Sequence, residues 1–339
     1  MKVLVTGGLG AVGGFLTREL RERGHEVWIT DLPHHHDPQY LRADVSEYRQ
    51  LERIFDEHRF DYVYHLAAEF GRRNGEEYYE TLWRTNVIGT KNMIRLQEKH
   101  GFRMIFFSSS EVYGDWEGVM HEEVMEASPI RQLNDYAMTK WVGEMQVMNS
   151  AARFGTETVR VRLFNVYGPG EPYSEYRSAN CIFCYRALYG LPYTVYLGHR
   201  RSSLYVTDAA FTLATLVERF IPGEVYNIGS REVHDVKTAS DIILSYLDQD
   251  DHMVNYRPCE PFTTRSKTVD ISKAAADLGH APKVSLADGL WRTLDWMKVR
   301  YLLKPANSAG DLSCSGAVLS AGQKPVRTPA LRGATRCAS

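Results

Sequence analysis

The first two dozen residues run from an apolar stretch at 2–6, through a glycine-rich turn, into an amphipathic helix pattern at 15–24. Few folds accept that order. The turn reads Thr6-Gly7-Gly8-Leu9-Gly10-Ala11-Val12-Gly13-Gly14, with glycines recurring at 7, 10 and 13. Glycine lets a backbone approach a bulky anion, and the N-terminus of the next helix offers free N–H groups and the positive end of a dipole. Strand, glycine turn and helix in succession are what a dinucleotide pyrophosphate requires. Gly7, Gly10, Ala11, Val12 and Gly13 are therefore candidate contacts to it.

A second strand at 26–30 ends in Asp31. An acidic side chain there binds both ribose hydroxyls and repels a 2′-phosphate, which favours NAD over NADP. His34-His35-His36-Asp37 follows. No second ligand cluster sits at zinc spacing, so it reads as a solvated loop and no metal is expected. At Asp44-Val45, Asp44 either caps a helix over 47–58 or accepts a bond from the adenine amine. A strand at 61–65 leads into Leu66-Ala67-Ala68, whose small residues let the chain pass close to the cofactor. The polar segment 71–79 reads as a loop covering a substrate. Helices are expected at 80–99, containing Asn86, and at 134–153, with a further strand at 158–163. Leu82, Val87, Ile88 and Met93 read as core. The stripe Met138, Trp141, Met145 and Met148 reads as core or as a dimer face. Val236-Lys237-Thr238 reads as the cap of a helix running to Leu247. The alternation predicts an α/β fold with a doubly wound parallel sheet.

The apolar run 104–107 precedes Ser108-Ser109-Ser110-Glu111-Val112-Tyr113-Gly114. Ser109 would then sit at the carboxyl end of a buried strand, where open α/β sheets bind ligands. Tyr136 and Lys140, four residues apart in the 134–153 helix, share one face. A lysine ammonium near a phenol lowers the tyrosine pKa, and a phenol so tuned takes a proton from a sugar hydroxyl near neutral pH. Ser109 would hold that hydroxyl in line.

Composition narrows the partners. A formal net charge of −2 over 339 residues offers nothing to draw nucleic acid or an anionic membrane. Five scattered cysteines argue against a disulfide scaffold and for a reducing compartment. Cys181 and Cys184 form a lone CxxC, read as helix packing. The initial apolar run is too short for a signal peptide and none reaches membrane-spanning length, so a cytoplasmic location is expected. From 304 to 339 the chain is rich in Ser, Ala, Gly and Pro without apolar periodicity, and disorder is expected.

Taken in order, the glycine spacing, Asp31, His-Leu-Ala-Ala at 65–68, Ser109 and its flanks, Tyr136 with Lys140, and Arg-Leu-Phe-Asn-Val-Tyr-Gly-Pro-Gly at 162–170 resemble one family. It is the extended short-chain dehydrogenase/reductases that act on nucleotide sugars. The resemblance runs from about residue 1 to 303. It implies a Rossmann domain over 1–165 with 202–230, and a smaller substrate-binding lobe over 166–201 and 231–303. It also implies a tightly held NAD, a nucleotide-diphosphate sugar oxidised to a 4-keto intermediate, and a homodimer built from the two long helices. By position, Ser109, Tyr136 and Lys140 match the catalytic set, and Asn165 a sugar-phosphate contact. Arg201 matches a diphosphate clamp, although Ser202 and Ser203 replace the family's Asp-Phe.

The triplet Ser109-Ser110-Glu111 is similar to that of GDP-mannose dehydratases and UDP-glucuronate decarboxylases, with Ser110 beside the substrate. In a dehydratase Glu111 would remove the C5 proton; in a decarboxylase it would orient the carboxylate region. A 4,6-dehydratase is the first expectation. A decarboxylase, a 4-epimerase and a non-catalytic Rossmann sensor or scaffold are the alternatives; the last predicts loss of Ser109, Tyr136 or Lys140, and all three are present.

Overall fold

The computed structural model describes residues 1–302, so the segment expected to be disordered lies outside the described residues. In chain order the first half contains β1 (Lys2–Thr6), α1 (Ala11–Glu22), β2 (Glu26–Asp31), β3 (Tyr40–Arg42), α2 (Tyr48–Glu57), β4 (Tyr62–His65), α3 (Arg72–Glu77), α4 (Tyr79–Trp83), α5 (Thr90–His100), β5 (Arg103–Ser109), α6 (Val124–Ala127) and α7 (Asp135–Phe154). There follow β6 (Thr158–Leu163), β7 (Val166–Tyr167), α8 (Ala179–Leu188), β8 (Tyr193–Tyr196), β9 (Arg200–Ser202), β10 (Leu204–Tyr205), α9 (Val206–Ala214), β11 (Val225–Ile228), β12 (Val233–Asp235), α10 (Val236–Tyr246), β13 (Val254–Arg257), α11 (Ser272–Leu278) and α12 (Leu286–Met297).

Seven strands form one parallel sheet in the order β11-β6-β5-β4-β1-β2-β3. The chain reverses direction across the sheet between β1 and β4, and a crevice opens at such a switch point. Alternate residues of each strand face opposite layers. Val3 and Val5 pack with Leu16, Leu20 and Leu213 on one face, while Leu4 packs with Leu51, Phe55 and Met93 on the other. A third core, around Cys184, Val195, Ile243 and Leu290, joins α8, α10 and α12 to β8. Both CxxC cysteines are buried, so packing is their role.

The structure corrects four local readings. The segment 71–79 is not a loop: it holds α3 and the start of α4. Gly71 turns the chain in at φ +88°, and Gly75 lies so close to Leu82 and Tyr136 that a Cβ would meet them at 3.1 and 3.5 Å. Tertiary contact, not periodicity, makes this helix. The helix expected at 80–99 carries a π-helical turn at Arg84–Gly89. There buried Asn86 accepts from Glu69 N at 2.8 Å and donates to Glu69 O and Thr139 Oγ1, both at 3.0 Å. Asp44 does not cap α2; its Oδ1 accepts from Ser46 N at 2.8 Å, and the cap position is Glu47. Asp235 rather than Val236 caps α10, accepting from Lys237 N at 2.8 Å.

Of the apolar positions read as core, Leu82 and Met93 are fully buried, but Ile88 is 51% exposed. Met138 and Met145, on α7, are 38% and 43% exposed.

Candidate active site

A cavity of ≈ 1100 Å³ runs along the carboxyl ends of the strands. Its walls include Gly7, Gly10, Ala11, Val12, Gly13, Asp31, Asp44, Val45 and the run Leu66–Ala68. Gly7 has φ +70°, and a Cβ there would meet the backbone of Ala67 at 2.8 Å. A Cβ on Gly13 would run into the carbonyl of Gly7. The cradle is thus built of backbone alone. Gly10 caps α1 without a side-chain bond, so the first N–H groups of that helix remain available.

Asp31 braces the loop, with Oδ2 accepting from Leu9 N at 3.0 Å and Oδ1 from Leu32 N at 2.8 Å. Each oxygen keeps a lone pair for a ribose hydroxyl. Behind the cradle, Thr6 Oγ1 accepts from Ala67 N at 3.1 Å and shares a hydrogen bond with His65 Nδ1 at 3.0 Å. Burial, and then the nearby Lys140 charge, push His65 down to about 3, so the imidazole stays neutral and fixes where Leu66–Ala68 run. An uncapped helix, a glycine cradle and a carboxylate at the end of β2 suit a dinucleotide. His34–His36 form an exposed loop, and among the described residues no group of three or more His, Cys, Asp or Glu is placed to hold a metal ion.

Ser109 ends β5, and Tyr136 and Lys140 lie on the first turns of α7, whose cap Asn134 accepts from Ala137 N at 2.8 Å. All three line the cavity. The Ser109 hydroxyl lies close enough to the Tyr136 phenol to favour its ionised form. Lys140 Nζ donates to Phe107 O at 2.9 Å and stands 5.8 Å from the centre of the Tyr136 ring. One expectation fails here. The phenol is not acidified; desolvation pushes it up to about 12, and Ser109 offsets only part of that. Lys140 spends its charge on a carbonyl, and burial brings it down to about 8.

Two opposite pH dependences follow for Lys140. Its ammonium is lost as pH rises through about 8, so activity should fall there. Between about 8 and its ordinary 10.5 the unfolded chain holds the proton more tightly, so this group's contribution to stability should grow with pH. Lys140→Arg keeps its charge and should flatten the falling limb of kcat against pH; an unchanged limb would assign it to another group.

Glu111 also lines the cavity, held by partners that the spacing did not reveal. It forms a tight ion pair with buried Lys267 and lies 3.7 Å from Arg72 Nε. Burial raises its carboxyl, but Lys267, Arg72 and the more distant Arg201 outweigh this and hold it at about 2. Lys267 is 156 positions away, so only tertiary structure reveals the pair. Ser110 is buried at the cavity wall. Asn165 lines it with a left-handed backbone, φ +38°, and donates to Ser202 O at 3.1 Å. Arg201 lines it too, with Nη1 donating to Arg200 O and Arg265 O at 2.8 and 2.9 Å. Ser202, one of the two departures noted above, zips β9 to Ser230, giving to its carbonyl at 2.6 Å and accepting from its N–H at 2.9 Å.

Residues 3–229 match the model of a family described as the NAD dependent epimerase/dehydratase family. The chain is similar to UDP-glucuronic acid decarboxylase 1 of Danio rerio, with 30% identity over 323 residues covering 91% of this chain and 75% of that protein. It is 28% identical to dTDP-glucose 4,6-dehydratase of Streptomyces niveus, covering 88% of this chain and 93% of the relative. Among solved structures, UDP-glucose 4-epimerase of Thermus thermophilus in complex with NAD superposes with a TM-score of 0.79 at 27% identity, covering 88% of this chain and 99% of that one.

Proposed function

This chain belongs to the NAD dependent epimerase/dehydratase family, and we propose that it oxidises C4 of a nucleotide-diphosphate hexuronate and releases the C6 carboxylate as carbon dioxide. NAD is the cofactor, and the glycine cradle, Asp31, Asp44, Val45 and Leu66–Ala68 would hold it. When bound, it supplies the hydride acceptor for C4 and a positive charge beside the phenol.

Tyr136, as phenolate, takes the C4 hydroxyl proton while Ser109 holds that oxygen, and the positive charge of bound NAD would favour the phenolate. A carboxylate at C6 is then β to a ketone. The C5–C6 bond breaks, carbon dioxide leaves, and the electron pair passes to the C4 oxygen, where Ser109 and Tyr136 can hydrogen-bond it; C5 then takes a proton from water and the hydride held by the cofactor would return to C4, so that carbon dioxide alone is lost. Asn165 and Arg201 are proposed on the phosphate side.

The observation that carries this reading is the state of Glu111. A carboxylate held at about 2 by Lys267 and Arg72 is a poor base for a C5 proton. The neighbouring place is taken by Ser110, so no carboxylic acid stands there to protonate a leaving hydroxyl. For dehydration Glu111 would have to serve as both base and acid, or a water would have to help; release of carbon dioxide needs neither. The second reading, a 4,6-dehydratase, is favoured by the position of Glu111 two residues past Ser109 and by likeness to the Streptomyces niveus enzyme.

Product mass separates them. Incubation with UDP-glucuronate should give a product lighter by one carbon dioxide. Loss of one water from a neutral nucleotide sugar would establish dehydration instead, and an isobaric product epimerisation. Glu111→Gln should slow decarboxylation by about tenfold or less, because the group orients rather than transfers a proton. A loss of several orders of magnitude would restore it as the base.

We also propose that a second copy covers the α5–α7 face, where Ile88, Met138 and Met145 are exposed. Met145→Glu should shift the sedimentation coefficient from dimer to monomer; a wild-type monomer would overturn this.

A further inference from the structure

The charged cluster at the sugar end contains one carboxylate that the reaction does not use. Glu260 lines the cavity with a side chain 27% exposed, and its Oε1 accepts from Arg72 Nη2 at 2.8 Å. Its Oε2 lies 3.9 Å from Arg201 Nη2. It therefore bridges two cavity guanidinium groups, one from α3 and one from β9. Both also act on Glu111.

The backbone around Glu260 is pinned independently of its side chain. His199 Nε2 accepts from Glu260 N at 3.1 Å, and Asn134 Nδ2 donates to Phe262 O at 3.3 Å. A rotation of the Glu260 side chain alone would free Arg72 without moving the loop.

Charge gives this bridge a use. Arg72, Arg201 and Lys267 face Glu111 and Glu260, which leaves one positive charge in excess. If the Glu260 side chain swings out, the excess rises to two and the Arg72 guanidinium loses its hydrogen-bonded carboxylate, keeping only Glu111 at 3.7 Å. A carboxylate brought by the substrate restores both the charge and the geometry. A neutral hydroxymethyl group does neither.

We propose that Glu260 is a built-in placeholder for the substrate's C6 carboxylate: it occupies the Arg72 seat in the free enzyme, yields it to an acidic sugar, and returns once the carboxylate has left, while Arg201 stays on the phosphate side. This rests on the hexuronate reading above. Exchange of one carboxylate for another keeps the seat assembled between turnovers. The product lacks the group that held Glu260 out, so its return favours release.

The test is a binding comparison in which chemistry is stopped. UDP-glucuronate and UDP-glucose are titrated calorimetrically into NAD-loaded Tyr136→Phe and into the same protein carrying Glu260→Gln. Removing the competing carboxylate should tighten UDP-glucuronate about fivefold, the scale of a partly exposed ion pair, and leave UDP-glucose unchanged. Glu260→Asp, charged but shorter, should fall between. An equal change for both ligands, no change for either, or weaker UDP-glucuronate binding would overturn the proposal. Failure of the hexuronate reading shows separately, as wild-type enzyme that releases no carbon dioxide from UDP-glucuronate.

Discussion

Tyr136→Phe should lower kcat by about 10²–10⁴-fold, the usual worth of a positioned proton acceptor, while the protein still binds NAD. The phenol and the Ser109 hydroxyl line the same cavity, and Ser109 favours the ionised phenol. Removing one oxygen from a side chain that already lines a cavity leaves no new void in the core, so the fold should persist. NAD content after denaturation and thermal unfolding check this directly. Undiminished turnover would refute the assigned role. The resting phenol, pushed up to about 12, gives a second readout. Adding NAD should lower the pH at which tyrosinate absorbance appears in wild type, because a positive charge is brought beside the ring. Tyr136→Phe should abolish that response; its persistence would place the responsive tyrosine elsewhere.

Arg162→Met should cost about 3–5 kcal/mol of stability, the range for removing one partner of a buried ion pair. Arg162 is 1% exposed and holds Glu144 by two bonds, Nε to Oε1 at 2.9 Å and Nη2 to Oε2 at 2.8 Å. Its other nitrogen donates to Tyr113 OH and Glu122 O, both at 3.0 Å. Glu144 also accepts from Ser108 Oγ at 2.5 Å, tying α7 to the strand that carries Ser109. The substitution strands a fully buried carboxylate. Arg160, at 3.4 Å, offers partial compensation and sets the expectation toward the lower end. Adding Glu144→Leu should recover part of the loss in urea denaturation, since the fully buried carboxylate is then gone, and the unpairing of Arg160 keeps that recovery partial. A fully additive double variant would show that the pair is not coupled.

What was legible in the sequence is what short-range geometry enforces. Gly7 and Gly13 are demanded by the backbone passing within a few ångströms of itself. Tyr136 and Lys140 share a helix face because the helical period puts them there. Strand–helix alternation and the apolar runs were enough for the parallel sheet, because burial on both faces leaves little other choice. The same patterning missed α3, whose polar residues become helical only when Gly75 packs against Leu82 and Tyr136. It missed the π-helical turn, which exists to aim buried Asn86 at Glu69.

The sequence by itself determined the nucleotide fold, and it offered the glycine turn and the Ser109, Tyr136 and Lys140 set as candidates, because each rests on a short local motif. Only the tertiary structure decided how those groups are charged. Lys267 and Glu260 reach the site from positions far along the chain, and desolvation depends on everything packed around a group rather than on its neighbours in sequence. That is why spacing foresaw an acidified phenol and could not choose between a base and an orienting role for Glu111, whereas the folded protein holds the phenol protonated and the carboxylate at about 2.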